Sequence, residues 1–169
     1  MIYIAFTPHY CHPLPEGHRF PMDKYLKIPE QLLKEGTYTK QNFFEPKLPD
    51  EDFILQVHSK EYVDKMKQKQ FTQHEERRLG FTISDQLIKR EELICAGNTQ
   101  AALLALENGI SFNVAGGTHH AHRNFGEGYC MPFLLKPVAF FYESCLTKRS
   151  FRRHPRILFH PRHFPRVCY

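Results

Sequence analysis

Ile2, Ile4 and Phe6 alternate with Tyr3 and Ala5 in a short apolar run, which predicts a buried first strand. The stretch from Thr7 to Arg19 is rich in His, Pro and Gly and predicts a loop at that strand's carboxyl end, where open α/β sheets bind ligands. Pro21 suits the first turn of a helix whose apolar positions Met22, Tyr25, Leu26, Leu32 and Leu33 recur at helical spacing. Pro29 predicts a kink or a break in it, and Gly36 its stop. Phe53 to Val57 predicts a second strand, and Ser59 an N-cap for a helix bearing Tyr62, Val63 and Met66 on one side. Between Phe71 and Thr82 the pattern is weak. Ser84 then caps a long helix whose broad apolar face comprises Leu87, Ile88, Ile94, Cys95, Ala101, Ala102, Ala105 and Leu106, ending before Gly109. Ile110 to Ala115 predicts a further strand. This order of elements predicts an α/β fold with a parallel sheet covered by helices and no internal repeat.

Composition narrows the picture. With 169 residues, 41% hydrophobic, 24% charged and 14% aromatic, the chain is neither wholly disordered nor fibrous, and its length suits one ordinary domain. No stretch approaches the roughly 20 apolar residues that span a bilayer. The first six residues lack the basic flank and long apolar core of a signal peptide, so the expected location is cytoplasmic, with no membrane partner. Cys11, Cys95, Cys130, Cys145 and Cys168 form no Cys-x-x-Cys pair, which points to reduced thiols rather than a disulfide framework or a zinc knuckle.

The net charge of +5 conceals a break. From Met131 onward eight Lys or Arg face the single acid Glu143, whereas residues 1–130 carry 15 bases and 17 acids. All nine glycines precede Met131, and the last aspartate is Asp85. The shift predicts two kinds of sequence, residues 1–130 and a divergent basic tail, residues 131–169.

The chemistry concentrates after the last predicted strand, where Gly116-Gly117-Thr118 delivers His119, His120 and His122 within four positions. Paired glycines allow a sharp turn or close approach to a ligand. Imidazoles at a strand's carboxyl end suit proton exchange, because their ordinary pKa of about 6.5 lies near working pH. Three neighbouring histidines on one loop rarely converge on a metal, so acid/base use is the stronger reading than metal binding by this trio alone. His9-x-x-His12 and His160-x-x-His163 lie among prolines and read as exposed loop histidines.

Gly116-Gly117-Thr118-His119-His120-Ala121, with Gly126-Glu127-Gly128-Tyr129-Cys130 downstream, resembles the active-site segment of the zinc-dependent histone deacetylase superfamily, most closely its bacterial and class IV branch. His12-Pro13-Leu14-Pro15-Glu16-Gly17-His18-Arg19-Phe20-Pro21-Met22 resembles that branch's first loop, and Leu79-Gly80-Phe81-Thr82 its middle region. The resemblance implies the N-terminal part of an arginase-like three-layer α/β fold, truncated. It implies catalytic proton-transfer roles for His119 and His120 beside a metal-bound water. Gly128 would offer its backbone to the substrate amide, Tyr129 would wall the acyl-lysine tunnel, and Arg19 would be an internal arginine near an acetate-release cavity. The implied substrate is an acylated lysine or a related small acylated amine.

The resemblance stops after Cys130. The family continues with an Asp-x-His and a later Asp that hold zinc, and this chain has no Asp beyond Asp85. Zinc is therefore expected in complete relatives and not in this chain, which is expected to be inactive. The run Lys148-Arg149-Ser150-Phe151-Arg152-Arg153 and the bases to Arg166 suit nucleic-acid binding by residues 148–166. The alternative, a shifted reading frame or misplaced gene boundary, is the preferred origin of the tail.

Overall fold

A computed structural model describes residues 1–115 and 120–131. The expectations for Gly116–His119, for an apolar element at 133–142 and for the basic tail fall outside the described residues.

Strand β1 (Tyr3–Ala5) lies between β2 (Phe43–Phe44) and β3 (Ser111–Asn113), parallel to both. Tyr3 faces Ser111 and Ala5 faces Asn113, so the loops leaving β1 and β3 start side by side. The chain thus moves from one flank of β1 to the other, and such a reversal opens a crevice at the carboxyl ends of the strands. Ile4 and Ala5 are buried. The expected strands at both ends of this stretch are present but shorter: β3 omits Ile110, which is exposed, and ends at Asn113, while Phe112 also faces solvent.

Helix α1 (Lys24–Lys34) continues through Pro29 instead of breaking there. Its buried side is Tyr25 and Pro29, in line with Met22 just before it, whereas Leu26 and Leu33 are exposed, against expectation. Gly36 follows with a φ of +69°, as its stop requires. The second expected strand is wrong. Residues Glu51–Leu55 form helix α2, because Ile54, Val57 and His58 are buried at helical spacing and acidic Glu51 and Asp52 occupy the first turn. Ser59 caps α3 (Lys60–Lys67) as expected, its hydroxyl accepting the Tyr62 N–H, and Tyr62, Val63 and Met66 are buried.

Helix α4 (Gln73–Leu79) fills the stretch where periodicity is weak. A capping box starts it: the Thr72 hydroxyl accepts the Glu75 N–H and the Glu75 carboxylate accepts the Thr72 N–H at 2.7 Å. Lys65 adds an ion pair at 2.6 Å, and these partners hold the Glu75 carboxyl at about 2, below the usual carboxylate range.

Helix α5 (Asp85–Asn108) packs on β1, β3 and the short turn Pro8–Tyr10 that follows β1. Ser84 caps it and Gly109, at φ +89°, ends it. Leu87, Ile88, Ile94, Cys95 and Ala101 are buried as the spacing predicts. Among the described residues no helix is long and apolar enough to cross a membrane.

Helix α5 packs tightly at Gly97, where an added Cβ would lie 2.4 Å from the Tyr10 hydroxyl and 2.8 Å from Asn113 Nδ2. Tyr10 is fully buried, and Asn113 Nδ2 donates to the Ile94 carbonyl at 3.2 Å, so neither neighbour can retreat freely. Helix propensity favours Gly97→Ala by about 1 kcal/mol, but forcing a methyl into a filled contact costs about 1–3 kcal/mol. The variant should have a lower urea midpoint than the parent; an equal or higher midpoint would show that this contact yields.

Candidate active site at the carboxyl ends of the strands

The loop after β1 and the segment His120–Met131 after β3 meet at the end of α4. A helix leaves its last carbonyls without intrahelical partners. Here three successive ones are used by the two loops: Arg78 O accepts the Gly128 N–H at 3.2 Å, Leu79 O accepts the Tyr129 N–H at 2.8 Å, and Gly80 O lies 3.0 Å from His18 Nε2. His18 Nδ1 accepts the Phe20 N–H at 3.1 Å, which makes Nε2 the protonated nitrogen that donates to Gly80. The Arg78 guanidinium adds a side-chain grip, 3.8 Å above the Phe125 ring, which itself stacks on His122 at 4.2 Å.

Gly80 makes this junction possible. Its φ is +85°, and a Cβ there would sit 2.6 Å from Tyr129 Cε1. Tyr129 itself adopts φ +66°, rare for a large side chain, and its backbone bond to Leu79 holds it there. Its half-buried ring joins Phe20 at 4.9 Å, Phe81 at 5.1 Å and His18 at 6.1 Å, while His18 stacks on Phe81 at 5.6 Å. The result is an apolar wall with four rings drawn from three separate stretches of chain.

A buried ion pair stands behind the wall. Arg90 and Glu91 are both 1% exposed and bonded to each other, and Arg90 Nε donates to the Tyr10 carbonyl at 2.7 Å. The Arg90 guanidinium lies 5.0 Å from the Tyr25 ring centroid, 5.8 Å from that of Phe20 and 5.9 Å from that of Phe81. Burial pushes the Glu91 carboxyl above its ordinary range, with Arg90 and the Met131 backbone opposing it. Met131 is itself fully buried, its carbonyl accepting the Tyr62 hydroxyl at 3.0 Å.

Of the residues singled out in the sequence, Gly128 and Tyr129 meet on this wall, and His120 joins them: its ring would be 3.3 Å from a Cβ on Gly128, which has φ +55°. His120 is exposed. The Gly128 N–H is already taken by Arg78, and its carbonyl receives the Cys130 thiol at 3.5 Å. Arg19, expected to be internal, is exposed between His18 and Phe20, whose rings pack on Phe81, whereas Arg90 is buried. His119 lies outside the described residues. Arg90 and Glu91 escape a reading of the sequence because charged residues on a long helix are ordinarily solvated. Their one signal is position, since Glu91 falls at helical spacing between Leu87 and Ile94 on the apolar face.

The arrangement sets the His120 imidazole and an aromatic wall at the carboxyl ends of the strands. A sequence profile of the histone deacetylase domain matches residues 18–132, and the chain belongs to that family. It is 37% identical over 128 residues to an uncharacterized protein of Picosynechococcus sp., a match covering 76% of this chain and 43% of that protein. Among solved structures it resembles the HDA15 HD domain with a TM-score of 0.69 at 14% identity, covering 85% of this chain and 44% of that one. It also resembles a histone deacetylase homologue from Aquifex aeolicus, with a TM-score of 0.65 at 17% identity, covering 90% of this chain and 42% of that one. The chain thus spans less than half the length of these relatives. The shared fold is the α/β fold with a parallel sheet read from the sequence.

His12 offers a pH test of the packing under the wall. It is 7% exposed, 5.4 Å from Phe81, and its Nδ1 has no hydrogen-bond partner. Burial first, then Arg90 and His18, lower its pKa to about 4. A histidine held neutral in the fold binds its proton more readily when unfolded, so stability is intact above about pH 6.5 and falls as pH drops toward 4. His58, also buried with a lowered pKa, slopes the same way, so the comparison must be with a variant. His12→Asn should lose less stability than the parent across that window, by on the order of 2 kcal/mol in chemical denaturation. Parallel curves would contradict the assignment.

Proposed function

We propose that this chain carries the substrate-wall half of a deacetylase site, and that it binds an acylated lysine or a related acylated amine without hydrolysing it. The ordered set of family motifs, together with the junction that puts His120 beside Gly128 and Tyr129, supports the binding half of this reading. A flat ring such as Tyr129 suits the aliphatic stem of an acylated lysine.

The missing hydrolysis follows from the donors. In the family, zinc supplies an activated water and polarises the acyl carbonyl. Among the described residues no group of three His, Cys, Asp or Glu side chains converges, and from His120 onward the only carboxylates in the sequence are Glu127 and Glu143. These residues do not fit a family zinc centre. An exposed imidazole alone contributes roughly 10²–10⁴-fold as a general base, which leaves attack on an amide by water with a pKa of 15.7 far too slow to detect.

The purified full chain should release no acetate from an acetyl-lysine peptide, with or without added zinc, and should still bind that peptide in a fluorescence anisotropy titration. Zinc-dependent acetate release would overturn the inactivity. Failure to bind would overturn the wall.

A further inference from the structure

The rim of the wall is cationic on its Phe20 side, while the exposed Glu127 precedes Gly128 on the other. Lys24 Nζ sits 4.8 Å from the centroid of Phe20 and 5.0 Å from that of Tyr25, and Phe20 is the ring in closest contact with Tyr129. Tyr25 therefore has Lys24 near it on the solvent side and Arg90 5.0 Å away in the core. Arg19 projects from the same loop into solvent. Among the described residues neither Lys24 nor Arg19 has an ion-pair partner, because the nearby carboxylate of Asp23 is taken by Lys27. The remaining acid of the loop is the exposed Glu16. A shallow groove continues from Lys24 along α1, lined by Asp23, Lys24, Lys27, Glu30, Gln31 and Lys34; with Asp23 and Lys27 paired, Lys24 and Lys34 outnumber Glu30.

We infer that the acylated amine accepted by this wall is carried on an acidic peptide, not on a polyamine or a basic segment. The inference rests on the reading of Tyr129 as the substrate wall and deepens it. An aromatic face attracts one cation. With Lys24 over Phe20 and Tyr25, a second ammonium beside the acyl group meets a like charge instead of a bare ring. Carboxylates flanking the acyl-lysine meet Arg19 and Lys24, and those further along the peptide meet Lys34. Exposed pairs are individually weak and screened by salt, so two of them amount to about a fivefold to tenfold preference at low ionic strength.

The test is an anisotropy titration of the full chain with labelled acetyl-lysine peptides flanked by glutamates or by lysines, with an acetylated diamine as competitor. The glutamate peptide should bind about fivefold to tenfold more tightly than the lysine peptide at low salt, and the gap should close at high salt. Lys24→Met, which keeps the aliphatic stem, should narrow the gap, and Lys24→Glu should close or invert it. Equal or tighter binding of the lysine peptide, or effective competition by the acetylated diamine, would overturn the charge inference and leave the wall intact. If the glutamate peptide binds equally well without its acetyl group, the wall reading fails while the charged rim stands.

Discussion

Everything near the site leans on two adjacent charges that have no water. Arg90 and Glu91 lie side by side on α5, each 1% exposed. Removing such a pair from water costs several kcal/mol per ion, so the fold tolerates it only while the partners stay together. The geometry shows what the pair does in exchange. Arg90 holds the Tyr10 carbonyl in the loop after β1 and stands behind Phe20, Tyr25 and Phe81; Glu91 faces the end of the segment after β3, where Met131 is fully buried. One turn of one helix therefore spans both loops of the crevice.

The end of α4 closes the junction from the other side. Its last carbonyls, otherwise left to water, capture Gly128, Tyr129 and His18. This explains why a seven-residue helix with little apolar periodicity is worth building with a capping box and an ion pair at its start. Gly80, which the left-handed turn and the approach of Tyr129 both demand, is the joint between that helix and the wall. Without the α4 carbonyls Tyr129 would have little reason to hold a positive φ.

The parts of this arrangement legible in the sequence are those governed by local rules. Ser59 and Ser84 announce their helices because a hydroxyl cap is a property of a few residues, and the apolar face of α5 reads directly from its spacing. The strand expected at Phe53–Val57 fails because a short apolar run has no period long enough to separate strand from helix, and the buried set Ile54, Val57 and His58 decides it only in three dimensions. The two-residue β2 is too short to announce itself. Motif resemblance singles out Gly128 and Tyr129, which sit at the junction with α4, and Arg19, which is exposed, but not the buried Arg90. A partnership between a helix side chain and a distant loop carbonyl leaves no mark on local sequence.

The buried pair is tested most directly by a double-mutant cycle in chemical denaturation, comparing Arg90→Met, Glu91→Leu and the two combined. Each single change strands one charge in the core and should cost about 3–5 kcal/mol, while the double change, which strands none, should cost clearly less than either. Singles that cost less than about 1 kcal/mol each and simply add would show that the charges are solvated and that the crevice does not depend on them.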